Sequence, residues 1–414
     1  MKLQQAIFYV FILASGVAQA ETINVGFNYP KTGPYATQGL DQLEAAQIAL
    51  KEINDSGGIL GSMVRLVITD SQSNAAISIQ NANKLIDEDH VKMIFGGSAS
   101  SVAIAVGKVA SERKIPFFAT LAYSTDVTGQ YARKYVFRES YDSEAAASVL
   151  SDYMKKNLAG KSFYYVTARY NWGYSTEKSI RKVSNTEDVM KFQRVFTPFP
   201  DSKPQDFTDA INAVKKANPD VIVLVLFGHD MVAAMKELKA QGLKDKIIIV
   251  PNLTLGMAED AGPEAMQGVI GAIPWTAQIP AKYKYENGKK FVDVFSQKYN
   301  RLPDTSGASA YTILHEYKNA VERAKSFESD AVVKALEGHK YVSLKDSQYW
   351  RDFDHQSIQT VYAVKVKKAA DIKQSKFGQD YFEIIGTMDG DQAFIKKADW
   401  IEVRRAAGKP PELD

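Results

Sequence analysis

Short apolar runs alternate along this chain with longer stretches whose apolar residues return every three or four positions, the spacing of one helical face. Ile23–Phe27 reads as a strand, Thr32-Gly33-Pro34-Tyr35 as a turn, and Gln42–Asp55 as a helix with Ala45, Ile48, Ala49 and Ile53 aligned. Gly57-Gly58 ends that helix, because glycine accepts the left-handed backbone at a helix C-terminus. The pattern continues with strands at Val64–Thr69, Val91–Gly96 and Ile115–Ala119 and helices at Ala75–Asp87 and Ser100–Glu112. It then restarts. Helices are predicted at Ser143–Lys156, Gly173–Val183, Phe207–Ala217 and His229–Gln241, and strands at Ser162–Val166, Lys191–Phe196, Val221–Phe227, Lys246–Val250 and around Gly268–Ile273. Helices Lys289–Asn300, Ser306–Lys325 and a short one near Asp330–Leu336 precede a late strand, Gln359–Val366. Strands alternating with helices imply parallel sheets covered on both faces, an α/β fold. The count suits two doubly wound sheets better than one oversized sheet. With no flexible linker between the halves, short crossing segments would make the joint a hinged cleft.

The N-terminus sets the compartment. Residues 1–20 carry Lys2, an apolar run from Ala6 to Ala14 and a small-residue gate, Ala18-Gln19-Ala20, before Glu21. That is the pattern of a cleaved secretory signal, and its apolar run is shorter than the ~20 residues needed to span a bilayer. Cleavage would lower the formal charge only from +3 to +2, which gives no argument for nucleic acid or an anionic membrane. The chain has no cysteine. This excludes thiol catalysis, thiolate metal sites and a lipid anchor on the residue after the cleavage site. A freely soluble, monomeric, periplasmic protein without disulfides or membrane anchor is expected.

Motifs for catalysis are incomplete. Gly160-Lys161-Ser162 has Lys155 where a phosphate loop needs glycine; His315-Glu316 has Asn319 where a zinc helix needs its second histidine. Gly96-Gly97-Ser98-Ala99-Ser100 fails a nucleophile elbow at its last position. The five histidines show no ligand spacing, and Asp389-Gly390-Asp391 reads as a turn. No catalytic residue, metal or cofactor is expected.

Ligands of open α/β sheets bind beyond the carboxyl ends of the strands, so those loops hold the candidate residues. After Phe95 comes Gly96-Gly97-Ser98-Ala99-Ser100, where a helix start can hold a carboxylate, or where Ser100 can simply cap the helix. After Ala119 come Leu121-Ala122-Tyr123-Ser124-Thr125-Asp126; after Val166, Arg169-Tyr170-Asn171-Trp172-Gly173; after Leu226, Phe227-Gly228-His229. Aromatic loop tips from the second half could clamp what polar loops of the first half hold. Any one of these aromatics is equally explained by packing, and their shared position at strand ends is what singles them out.

At this point the chain resembles the branched-chain amino acid type of periplasmic substrate-binding proteins, which feed ABC transporters. The marks are TGPYATQG (Thr32–Gly39), AAQIALKEINDSGGILG (Ala45–Gly61), Asp70, FGGSASSVAIAV (Phe95–Val106), ATLAYSTDVT (Ala119–Thr128) with YVFR (Tyr135–Arg138), and DFTDAINAVKKANPDVIVL (Asp206–Leu224). Their order and spacing cover nearly all of the chain after the signal. The resemblance implies the type I periplasmic binding protein fold: two Rossmann-like doubly wound lobes joined by three crossovers, with a small-molecule ligand trapped by closure. By the same analogy lobe one takes 21–139 and 272–339, lobe two takes 140–271 and 340–383, and 384–414 is a tail. The implied ligand-binding residues are Gln38 in the first loop, Ser98 and Ser100 in the serine loop, Ala122 and Tyr123, with Ser124 one step on, in the next, and Trp172 and Phe227 in lobe two. The partner implied is an ABC permease, with no chemistry done on the ligand; the rival readings are a sensor for a membrane receptor and an enzyme.

One departure from the family matters. Amino acid binders place an acid after the strand ending near Val250, and here that position is Asn252. Losing a charge-assisted bond removes ~1.5–3 kcal/mol of ammonium binding. The ligand is therefore expected to be an amino acid held by other means, or an aromatic or other organic carboxylate. A cation over aromatic faces is a further option, and Asp126 or Asp230 could restore the charge.

Overall fold

The computed structural model describes residues 21–413, so the predicted signal at 1–20 lies outside the described residues. The first sheet holds five parallel strands: β1 (Thr22–Tyr29), β2 (Met63–Asp70), β3 (Ile94–Gly96), β4 (Phe117–Ala119) and β5 (Val136–Arg138), in the order β2-β1-β3-β4-β5. A second set is β6 (Phe163–Ala168), β7 (Arg194–Thr197), β8 (Val221–Val225), β9 (Ile247–Asn252) and β10 (Ile270–Ile273). Three short antiparallel strands follow, β11 (Lys340–Val342), β12 (Ser347–Trp350) and β13 (Ser357–Ile358), and then β14 (Val361–Val366) and β15 (Phe382–Met388). The second sheet runs β15-β14-β10-β9-β8-β6-β7, with β14 antiparallel to both β10 and β15. Its core strand VIVLV (β8) is buried at every position, as a parallel strand covered on both faces must be. Helix Ala75–Asp87 begins where expected because Asn74 Oδ1 accepts from Ala76 N and Ile77 N at 2.9 and 3.2 Å.

Sheet membership moves the expected lobe boundaries. A division at 271/272 would cut β10, but β10 pairs with β14 along its whole length and with β9 through Ala272, so the chain leaves the second lobe after Ile273. Residues 340–358, expected in lobe two, pack instead on the first: Trp350 meets Phe118 and Phe137 edge-on at 5.8 and 5.6 Å, and Tyr341 stacks on Trp350 at 5.7 Å. Residues beyond 383 are not a trailing tail. β15 continues to Met388 as the edge of the second sheet, and a helix over Lys397–Ala406 buries Trp400, whose Nε1 donates to Thr128 O of the first lobe at 2.7 Å.

The chain passes between lobes near Glu139–Asp142, Pro274–Thr276 and Gln359–Thr360, and buried polar side chains tie these segments together. Gln356 Nε2 donates to Ser140 O at 2.7 Å and Gln359 Nε2 to Glu139 O at 2.5 Å. Lys345 Nζ donates to Pro274 O and Thr360 O, both at 2.7 Å. The crossings thus form one hydrogen-bonded hinge.

Candidate functional site

Both lobes wind alike. In β2-β1-β3-β4-β5 and in β7-β6-β8-β9-β10 the winding reverses beside the first strand, so the loops after β1 and β3, and after β6 and β8, part and leave a crevice. Tyr35 and Gln38 follow β1, Ser98 and Ser100 follow β3, and Ala122, Tyr123 and Ser124 follow β4. In the second lobe Tyr170 and Trp172 follow β6, Phe227 follows β8, and Asn252 ends β9. Gly96 makes the turn out of β3: it sits at φ +116°, and a Cβ there would lie 2.2 Å from Asn28 O. Four helices open on the crevice, Ala36–Asp55, Ser100–Glu112, Asn171–Ser184 and His229–Ala240, and none has a side-chain cap. Elsewhere Asp142 and Thr254 cap their helices.

The crevice is filled by an aromatic box drawn from both lobes. Phe227 is met edge-on by Tyr35 at 5.1 Å, Tyr123 at 5.7 Å and Trp172 at 6.0 Å. Tyr170 stacks on Phe199 at 4.0 Å, and its hydroxyl is 2.5 Å from that of Tyr35 in the opposite lobe. Tyr123 meets Tyr141, at the first crossing, at 5.0 Å. Further bonds join the lobes: His229 N donates to Pro34 O at 3.0 Å, Gln38 Nε2 to Thr254 Oγ1 at 3.3 Å, and Gly256 N to Asp304 Oδ2 at 3.0 Å.

Polar groups around the box divide into those already engaged and those left over. Trp172 Nε1 donates to Asn252 Oδ1 at 3.2 Å. Ser98 Oγ accepts from Gln42 Nε2 at 2.9 Å, and Ser100 Oγ accepts from Ser124 N at 3.0 Å. Ser124 Oγ accepts from Ser175 Oγ at 3.0 Å and donates to Asn171 O at 3.4 Å, and Ala122 O accepts from Arg138 Nη1 at 2.9 Å. Ser98, Ala122 and Ser124 thus hold the loops in place, whereas Tyr123, Trp172, Phe227 and Asn252 come together in the box with Ser100 at the adjoining helix start. Three buried atoms of the predicted set have no hydrogen-bond partner: Tyr123 Oη, Gln38 Oε1 and Asn252 Nδ2. Burial, with the nearby Tyr141, Asp304 and Glu139, raises the Tyr123 phenol well above its ordinary value, so it stays protonated.

The box itself contains no charged side chain. Asp230, one candidate for the missing charge, accepts from Ser202 Oγ at 2.6 Å beside Tyr35 and Tyr170, and burial pushes it up to about 7. Asp126 faces Asn171 Nδ2 at 3.4 Å. Among the described residues no cluster of three histidine or acidic side chains is arranged for a metal. Tyr35 and Phe199 lie outside the aromatic loop tips that the sequence singles out, and Tyr170 lies in one of those loops without being among the implied ligand-binding residues. Tyr35 lies in a segment read as a turn, and its partner hydroxyl is 135 residues away.

The sequence pattern of the family described as "Periplasmic binding protein" matches residues 22–371. Leu/Ile/Val-binding protein homolog 4 of Brucella melitensis is 23% identical over 392 residues, covering 91% of each chain. A periplasmic binding protein from Burkholderia mallei superposes with a TM-score of 0.82 at 24% identity, over 94% of this chain and 100% of that one. A solute-binding protein of an ABC transporter from Rhodopseudomonas palustris, solved with 3,4-dihydroxybenzoic acid, gives 0.76 at 19% identity, over 89% and 98%.

Proposed function

This chain belongs to the periplasmic binding protein family, and from that premise we propose that it captures a small organic carboxylate between its lobes and delivers it to an ABC permease. It works as a monomer in the periplasm, after loss of the leader at 1–20, and does no chemistry on its cargo. The observation that carries the reading is the buried box at both switch points, with aromatic faces from each lobe and three unpartnered polar atoms among them. The uncapped, buried start of helix Ser100–Glu112 supplies backbone N–H groups and the positive end of a helix dipole for the carboxylate. The aromatic faces suit a flat or branched apolar body. A relative named for leucine, isoleucine and valine, and a neighbour solved with a dihydroxybenzoic acid, both fit this class.

The test is thermal stability of the mature protein against amino acids, hydroxy and oxo acids, benzoates, amides and quaternary amines. A ligand at a hundred times its dissociation constant adds ~2.7 kcal/mol of stability, which is readily seen. A shift by carboxylates that the matching amides do not reproduce is expected; a shift by amides or quaternary amines alone would overturn the carboxylate assignment.

A further inference from the structure

Resting on that reading, we propose that Trp172 sets ligand choice by fixing which end of the Asn252 amide faces the box, so that the site takes acids bearing an oxygen acceptor and disfavours those bearing an ammonium. An indole Nε1 is a donor only. It lies 3.2 Å from Asn252 Oδ1, so the amide oxygen must point at Trp172 and the NH2 group must point away. The flip that would put an acceptor into the box would set two donors face to face, in a site where both side chains are buried. Nδ2 is buried with the Tyr141 hydroxyl beside it and makes no hydrogen bond of good geometry. Tyr141 beside it donates its own proton to Ala272 O at 2.8 Å, so it offers an acceptor to no more than one of the two amide hydrogens. At least one N–H is left to point at a ligand, and it calls for a hydroxyl, carbonyl or carboxylate oxygen.

The neighbouring carboxylates do not replace the missing acceptor. Asp304 already accepts from Gly256 N at 3.0 Å and Thr305 N at 2.6 Å. Asp230 accepts from Ser202 and lies beside Tyr35 and Tyr170, with one oxygen left over. Burial pushes both toward the neutral acid, which holds an ammonium poorly. The remaining unpartnered groups, Tyr123 Oη and Gln38 Oε1, are a donor-acceptor and an acceptor that also match a hydroxyl-bearing ligand.

The experiment compares three acids of one shape that differ in a single substituent: phenylalanine, phenyllactate and phenylpyruvate, with the leucine-shaped trio in parallel. Affinities are measured by calorimetry on the mature wild-type protein, Asn252→Asp and Trp172→Phe. In wild type the hydroxy or oxo member should bind about tenfold or more tightly than its amino partner. Asn252→Asp keeps the oxygen facing Trp172 and turns the donor into an acceptor, so the preference should reverse. Trp172→Phe keeps the aromatic face but frees the amide to turn, so the ratio should fall toward one, a change that lost packing alone would not produce. An amino member that binds wild type as well as its partners, or a ratio unmoved in either variant, overturns the inference and leaves solute binding standing. Binding of none of the six, with no small molecule released when the purified protein is denatured, overturns the solute-binding reading and this inference with it.

Discussion

Gly228 packs against Pro34 and Tyr35 of the opposite lobe, and Gly228→Ala should prop the lobes apart. The residue precedes helix His229–Ala240 at φ +59° and ψ −139°. A Cβ there would lie 2.3 Å from Pro34 O and 2.6 Å from Tyr35 Cδ1, both in the opposite lobe. Unstrained heavy-atom contacts lie at about 3.5 Å, so the lobes must withdraw by about 1 Å. That withdrawal stretches His229 N to Pro34 O, now 3.0 Å, and Tyr35 to Tyr170, now 2.5 Å, out of hydrogen-bond range. At ~0.5–1.5 kcal/mol net for each bond, the closed state loses about 1–3 kcal/mol. Ligand that binds the closed form should therefore bind about 5–150-fold more weakly. Backbone strain at this φ/ψ acts on lobe two whether the cleft is open or shut, so it lowers the unfolding free energy without entering the affinity. Calorimetry with a carboxylate found by thermal shift, and small-angle scattering with and without it, separate the two effects. Gly242→Ala is the control, because Gly242 has φ +73° and nothing within 4 Å of a built Cβ. If Gly228→Ala binds and compacts like Gly242→Ala, the lobe contact described here does not govern closure.

Three other outcomes follow from the same geometry. Burial pushes Asp230 up to about 7 in the fold, against about 3.9 in an unfolded chain, so folding favours its protonated form and stability falls as pH rises from about 4 through 7. Asp230→Asn should flatten that part of the urea-unfolding profile and stabilise the protein at pH 8; an unchanged slope between pH 5 and 8 would refute the assignment. Arg138 is buried and donates to Gln356 Oε1 at 2.6 Å, Thr128 Oγ1 at 2.7 Å, Asp142 at 3.1 Å and the carbonyls of Ala122 and Ser124. Arg138→Met should lower unfolding free energy by about 3–5 kcal/mol by leaving Asp142 uncompensated, and a loss below about 1 kcal/mol in urea titration would count against that role. Trp400→Ala should remove about 3–5 kcal/mol and expose the 128–132 loop to faster amide exchange, whereas unchanged exchange there would mean that the C-terminal helix does not hold it.

Periodicity reaches elements whose stability is local or whose burial is complete. Helix Ser100–Glu112 and strand β8 are legible because an amphipathic face or an unbroken apolar run survives any tertiary arrangement. β11, β12 and β13 escape because two to four residues are too few to establish alternation, and what fixes them is Trp350 against Phe118 and Phe137, two hundred residues earlier in the chain. β15 escapes for a related reason: it is an edge strand with one face half-exposed, so FEIIGTM carries little contrast. The site divides along the same line. Trp172 and Phe227 stand out as candidates because strand ends in a doubly wound sheet are where loops must diverge, whereas Asn252 is marked as a candidate by the family resemblance. The pairing of Tyr35 with Tyr170 is not legible, because their hydroxyls meet only when two separately folded lobes are brought together. The orientation of Asn252 belongs to this second kind. The sequence contains a neutral amide whose two ends are chemically opposite, and nothing near it along the chain chooses between them. The choice comes from an indole 80 residues away that can only donate, and it holds the amide oxygen toward Trp172 and the NH2 group away from it. On the proposal made above, ligand choice would rest on a contact between loops of one lobe, Trp172 after β6 and Asn252 at the end of β9.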